Sequence, residues 1–243
     1  MGESDETDPR DGRTRMHSAP PADLPEPRMS VTARLGALAG VAFFLFLMSA
    51  LLIGSSTLTT PDVSGDVAVR DWAERHGQLK LRVAFLEVAA FFGLVFSVQL
   101  KVRIQRWGAS REALLSFAGG LVLVTLLAAY GTASAAVLAA DNLTGDPQVA
   151  KVFLLVDWSF GVGMSASLAA MVAGFSIAGY RQRTLPRWFT FVGLAVLAVF
   201  VLNAATWQTA TMSILGLVWL PLAAPTLALK DTWSTPAVRD ATG

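Results

Sequence analysis

A chain of 243 residues with 53% hydrophobic and only 15% charged residues carries more apolar surface than a soluble domain, about a quarter charged, can hide from water. The formal net charge of +1 gives no basis for nucleic-acid binding, and its regional distribution matters more than its sum. With no cysteine, disulfides, thiol nucleophiles, thiolate metal sites and cysteine lipidation are excluded, and two histidines, His17 and His76, leave no haem ligands within an apolar run.

The first 34 residues are rich in Pro, Ser, Asp, Glu and Arg and have almost nothing to bury, which predicts a disordered cytoplasmic tail. The tail is too long and too acidic for a cleavable secretory leader, and Met29, just before Ser30–Arg34, is an alternative start. The first span is expected over Leu35–Leu58, without a charge. Residues 59–79 place Asp62, Asp66, Arg70, Asp71, Glu74 and Arg75 around Trp72, a polar loop whose second half can form a short amphipathic interfacial helix. The second span, Leu81–Leu100, contains Glu87 and ends in Lys101, Arg103, Arg106 and Arg111, and the third, Ala113–Ala140, is charge-free.

Asp141, Asn142, Gly145, Asp146 and Pro147 predict a turn. A fourth span, Val149–Gly179, contains Asp157, and the basic connection Arg181, Arg183, Pro186, Arg187 leads to a fifth over Trp188–Leu202. Asn203–Thr209 reads as a tight turn before a sixth span, Ala210–Leu229, in which Pro221 and Pro225 predict kinks. Residues 230–243 form a short polar tail.

Cytoplasmic segments retain Lys and Arg, and here alternate segments hold 14 such residues on one side against 5 on the other. That bias predicts an all-α bundle of six transmembrane helices at residues 35–229, with both termini in the cytoplasm. The composition, 15 Arg to 4 Lys in an Ala-, Val- and Gly-rich chain, suggests a bacterial inner-membrane protein.

An ionised carboxylate deep in a span costs about 2.5–3.5 kcal/mol and needs a partner, water or a proton. Glu87 and Asp157 are the two such residues, each roughly 10–12 Å below the outer surface at 1.5 Å per residue. They can face one another, which would let them share a cation or proton. Alternatively Glu87 pairs with Arg82 or Lys80, and Asp157 accepts hydrogen bonds from neighbouring hydroxyls or Trp207. Glu87, Asp157 and Arg82 are thus the candidate binding residues. A catalytic carboxylate normally works with a second base, nucleophile or metal ligand, and the spans supply no His or Cys for that role, so no enzyme, cofactor or metal site is expected. No phosphate-binding Gly-rich loop, His-Glu-x-x-His or intramembrane Ser–His pair occurs.

Ala166, Ala170, Gly174 and Ala178, with Ser159, Gly163 and Ser167 beside them, make small-residue stripes that let helices approach, as do Gly36 and Gly40. The stripes predict that the fourth helix is central, with Asp157 inward. Trp72, Trp107, Trp188, Trp207 and Trp233 fall near span ends, as interfacial anchors do.

The start Thr32-Ala33-Arg34-Leu35-Gly36 and the loop Leu185-Pro186-Arg187-Trp188 between two apolar runs resemble a group of small bacterial six-span membrane proteins. The group has no established activity, so the resemblance implies a membrane fold and adds no reaction. The function expected is non-enzymatic binding, accessory or regulatory work in the bilayer, with a small-molecule ligand or a protein partner left open. The alternative is proton- or cation-coupled transport of a small solute through Glu87 and Asp157, although the first three spans show no inverted match to the last three.

Overall fold

The computed structural model describes residues 31–53, 63–139, 145–206 and 219–224. Six helices follow one another: α1 Val31–Ile53, α2 Gly65–Glu74, α3 His76–Arg106, α4 Ser110–Ala139, α5 Pro147–Arg181 and α6 Arg187–Thr206. Residues 219–224 are also helical, and no strand occurs among the described residues, which are all-α. α1, α3, α4 and α5 are long and apolar enough to cross a membrane; the apolar part of α6, Arg187–Leu202, is shorter.

Their surfaces explain why a bilayer suits them. Only 33% of the apolar window of α1 and 39% of those of α3, α4 and α5 is buried inside the bundle. Leu38, Leu52, Phe91, Leu114 and Phe191 are each more than 60% exposed, a load of outward apolar side chains that water would not tolerate on a monomer.

Neighbours in the chain are neighbours in space: α1 packs on α3, α3 on α4, α4 on α5 and α5 on α6. The segment 219–224 closes this row into a ring. Its Trp219 meets Phe175 of α5 edge-on at 5.5 Å, and Ala224 lies against Gly40 of α1. Phe43, Phe96, Phe175, Phe189 and Trp219 fill the centre, each at most 1% exposed. Lipid tails are as apolar as these side chains, so close packing rather than exclusion from water selects this arrangement.

The closest packing is between α4 and α5. A Cβ on Gly119 would stand 2.6 Å from both the Met171 nitrogen and the Ser167 oxygen, and the Ser116 hydroxyl donates to the Met171 carbonyl at 3.0 Å. The expected small-residue stripe contributes unevenly. Ser167, Gly174 and Ala178 are buried, while Ser159 and Ala166 are exposed, so α5 is central only over its second half, where Met171–Ser176 are buried on every side.

Two connections end in one device. After α3, Gly108 takes φ +80° while the Ala109 N–H reaches the Ile104 carbonyl and the Gly108 N–H that of Gln105. After α5, Arg183 takes φ +52° while Thr184 bonds to Gly179 and Arg183 to Tyr180. These are Schellman closures, which favour glycine at the left-handed position. Arg183→Gly should therefore stabilise the protein by up to ~1 kcal/mol. Thermal unfolding in detergent should show a raised midpoint, and a lowered one would mean that the Arg183 side chain contributes more than its backbone costs.

At the start of α5, Asp146 accepts from the Gln148 and Val149 N–H groups at 2.8 and 3.4 Å, and Pro147 occupies the first turn, so the expected turn residues act as a cap. Residues 141–144 of that turn lie outside the described residues. One expectation is corrected: Asn203–Thr206, read as part of a tight turn, continue α6. No Gly or Pro interrupts Asn203-Ala204-Ala205-Thr206, and the two alanines favour helix over the turn tendency of a lone Asn. Trp207, Trp233 and most of the expected sixth span lie outside the described residues.

Candidate functional site

The amphipathic loop helix expected from residues 59–79 forms as α2, and it lies over the ends of α3 and α5. Ala68 and Trp72 point inward against Ala150 and Leu154 of α5, with Val69, Leu79, Val137 and Phe153 around them. Gly65 abuts the Pro147 carbonyl with no room for a side chain, and the Lys151 ammonium donates to the Val63 carbonyl at 2.8 Å. Both contacts fasten the start of α2 to the start of α5. Only Arg75 separates α2 from α3, so the helix is held at both ends.

Beneath α2 is a cavity of about 50 Å3, room for roughly four waters at the ~10–15 Å3 each requires. Its upper wall carries Asp71 and Arg75, themselves paired at 3.0 Å one helical turn apart. Its lower wall carries Arg82 of α3, Tyr130 and Ser134 of α4, and Asp157 of α5. Trp72, Phe153 and Tyr130 make an aromatic wall between them: Trp72 meets Phe153 edge-on at 5.5 Å, and Phe153 stacks on Tyr130 at 6.3 Å.

Arg82 and Asp157 face each other across this space. The Arg82 Nη2 stands 4.0 Å from the Asp157 Oδ1, beyond direct hydrogen bonding, with the side chains 18% and 28% exposed. The Arg82 Nε is buried and has no hydrogen-bond partner. Its guanidinium carbon lies 5.4 Å from the Tyr130 ring centroid, a cation–π contact; Tyr130 and Asp157 line the same cavity, and the Ser134 hydroxyl donates to the Tyr130 carbonyl at 2.8 Å. Two opposite charges are therefore presented to one cavity without being fully spent on each other.

Glu87 is placed elsewhere. Five residues beyond Arg82, it is turned roughly 140° around α3, and it does not line the cavity that holds Asp157. Its carboxylate crosses Gly131 of α4 and is within 3.5 Å of the Thr132 hydroxyl, and both Glu87 and Thr132 are exposed on the outside of the bundle. So Arg82, one of the two cations expected beside Glu87, faces Asp157 instead, and the carboxylate expected to face Asp157 lies in the outer α3–α4 groove. Trp207, the other expected partner of Asp157, falls outside the described residues.

Sequence reasoning named Arg82 and Asp157 but missed Tyr130, Phe153 and the second role of Trp72. A signal for the first was available: with only two tyrosines in the chain, one in the middle of a charge-free span is a phenol that needs a polar partner. Among the described residues no group of His, Asp and Glu could hold a metal ion. Compared with known proteins, the chain matches no family model, and no curated protein and no solved structure is similar to it.

Proposed function

We propose that this is a six-span protein of the bacterial inner membrane, with both termini cytoplasmic, that works without catalysis as a binding protein, its ligand seated at Arg82 and Asp157 beneath α2. The observation carrying this reading is the Arg82–Asp157 pair, held 4.0 Å apart and open to the cavity beneath α2. A pair that served the fold alone would close to hydrogen-bonding distance and satisfy its donors. The 14-to-5 distribution of Lys and Arg puts α2 and the cavity mouth on the outer side, and the ring closure by residues 219–224 supports a sixth span beside α1.

The lack of cysteine makes the test direct. A cysteine at Val137, in the cavity wall, should react on intact cells with the small impermeant reagent methanethiosulfonate-ethyltrimethylammonium, as should one at Ser64 before α2. One at Ser110 should react only after the cells are opened. An inert Val137→Cys beside a reactive Ser64→Cys would end the binding-site reading, and labelling of Ser110→Cys on intact cells would reverse the orientation.

A further inference from the structure

We infer that the cavity accepts a small zwitterion, one anionic oxygen group and one ammonium within a few bonds of each other; this rests on the binding reading above. Charge balance decides the class. Asp71 and Arg75 neutralise each other at 3.0 Å, and Arg82 and Asp157 bring one charge of each sign, so the empty cavity is neutral. In a low-dielectric wall a lone anion or cation would add an uncompensated charge, whereas a zwitterion adds none. The partners are already separated. Arg82 lines the cavity, and its Nη2, 4.0 Å from Asp157, offers N–H donors suited to a carboxylate or phosphate oxygen. Asp157 suits an ammonium, with Trp72 in the same cavity wall. Arg82 and Asp157 stand 4.0 Å apart, so a guest bridging them needs its own charges only a few bonds apart. Room for about four waters matches a group of glycine size and excludes a long polar chain.

Two sources share this chemistry, a free amino acid and the ethanolamine-phosphate headgroup of a lipid. The full chain in phosphatidylglycerol nanodiscs should bind glycine or the methyl diester of O-phosphoethanolamine, a neutral zwitterion like the lipid headgroup, in calorimetric titration, while acetate, phosphate and ethylamine at equal concentration should bind at least 10-fold more weakly. Arg82→Gln and Asp157→Asn should each weaken zwitterion binding at least 10-fold. If the source is the lipid, nanodiscs containing phosphatidylethanolamine should shield Val137→Cys from the reagent and abolish binding of the soluble methyl diester. If it is the free amino acid, glycine should still bind and shield there. Equal binding of acetate or ethylamine, or no zwitterion binding in phosphatidylglycerol while Val137→Cys still reacts, would overturn the zwitterion class and leave the binding pocket standing. No zwitterion binding together with an inert Val137→Cys would overturn both.

Discussion

Gly119→Leu should abolish accumulation of the folded protein, the largest effect expected of any single substitution here. A Cβ at this position would stand 2.6 Å from two backbone atoms of α5 and 2.9 Å from the Ala170 Cβ. Backbone cannot swing aside as a side-chain end can, so α4 and α5 must part along their length. Separation would break the Ser116–Met171 hydrogen bond and loosen Gly174, whose own Cβ position is 2.6 Å from the Ser116 nitrogen. Overpacking commonly costs ~1–3 kcal/mol where side chains can adjust, and more is expected where they cannot. Gly77→Ala is the control: it meets nothing within 4 Å and lies in the exposed first turn of α3, where alanine should be neutral or help by ~0.5–1 kcal/mol. Yield and monodispersity after detergent extraction report both. A Gly119→Leu protein that accumulates and melts like the parent would show that the α4–α5 contact is looser than its geometry.

The same interface shows where sequence reading reaches its limit. The stripe Ala166, Ala170, Gly174, Ala178 correctly announces a close helix contact, because small residues four apart must lie on one side of a helix. It does not say how far along α5 the contact runs. That depends on the tilt of α4, which places Gly119 opposite Ser167 and Met171 and leaves Ala166 outside. Span existence was legible for α1, α3, α4 and α5, since about 20 apolar residues have few other uses. Asn203–Thr206 continue α6 because two following alanines favour helix over the turn tendency of one Asn.

The candidate site was half legible for a related reason. Cost arguments find every charge placed in an apolar run, and so Arg82, Glu87 and Asp157 all stood out. Depth along each helix was also readable from residue counting. Rotation was not: Arg82 and Glu87 share a helix, yet one faces the cavity and the other the outer groove. Which carboxylate takes the arginine follows from how α3 is turned against α4 and α5. That arrangement goes with the close contacts of Gly93 with Phe43 and Val124 and with the passage of Glu87 itself over Gly131.

Removing the arginine separates these roles. Arg82→Met should destabilise the protein by about 2–3 kcal/mol, below the ~3–5 kcal/mol of a fully buried pair because the cavity admits water to Asp157. Adding Asp157→Leu should restore most of that loss, since the stranded charge is the main cost and an apolar pair of similar volume packs well. The double variant should then fold but bind no zwitterion, which separates the ligand role of the pair from its structural one. Glu87→Gln should behave independently, adding to Asp157→Asn without coupling, because it is Arg82 and not Glu87 that faces Asp157. Midpoints of thermal unfolding in detergent for the single and double variants give the coupling energies. A double Arg82→Met, Asp157→Leu variant no more stable than Arg82→Met would mean that the arginine stabilises through its contact with Tyr130 rather than through Asp157, and a non-additive Glu87→Gln, Asp157→Asn pair would reconnect the two carboxylates.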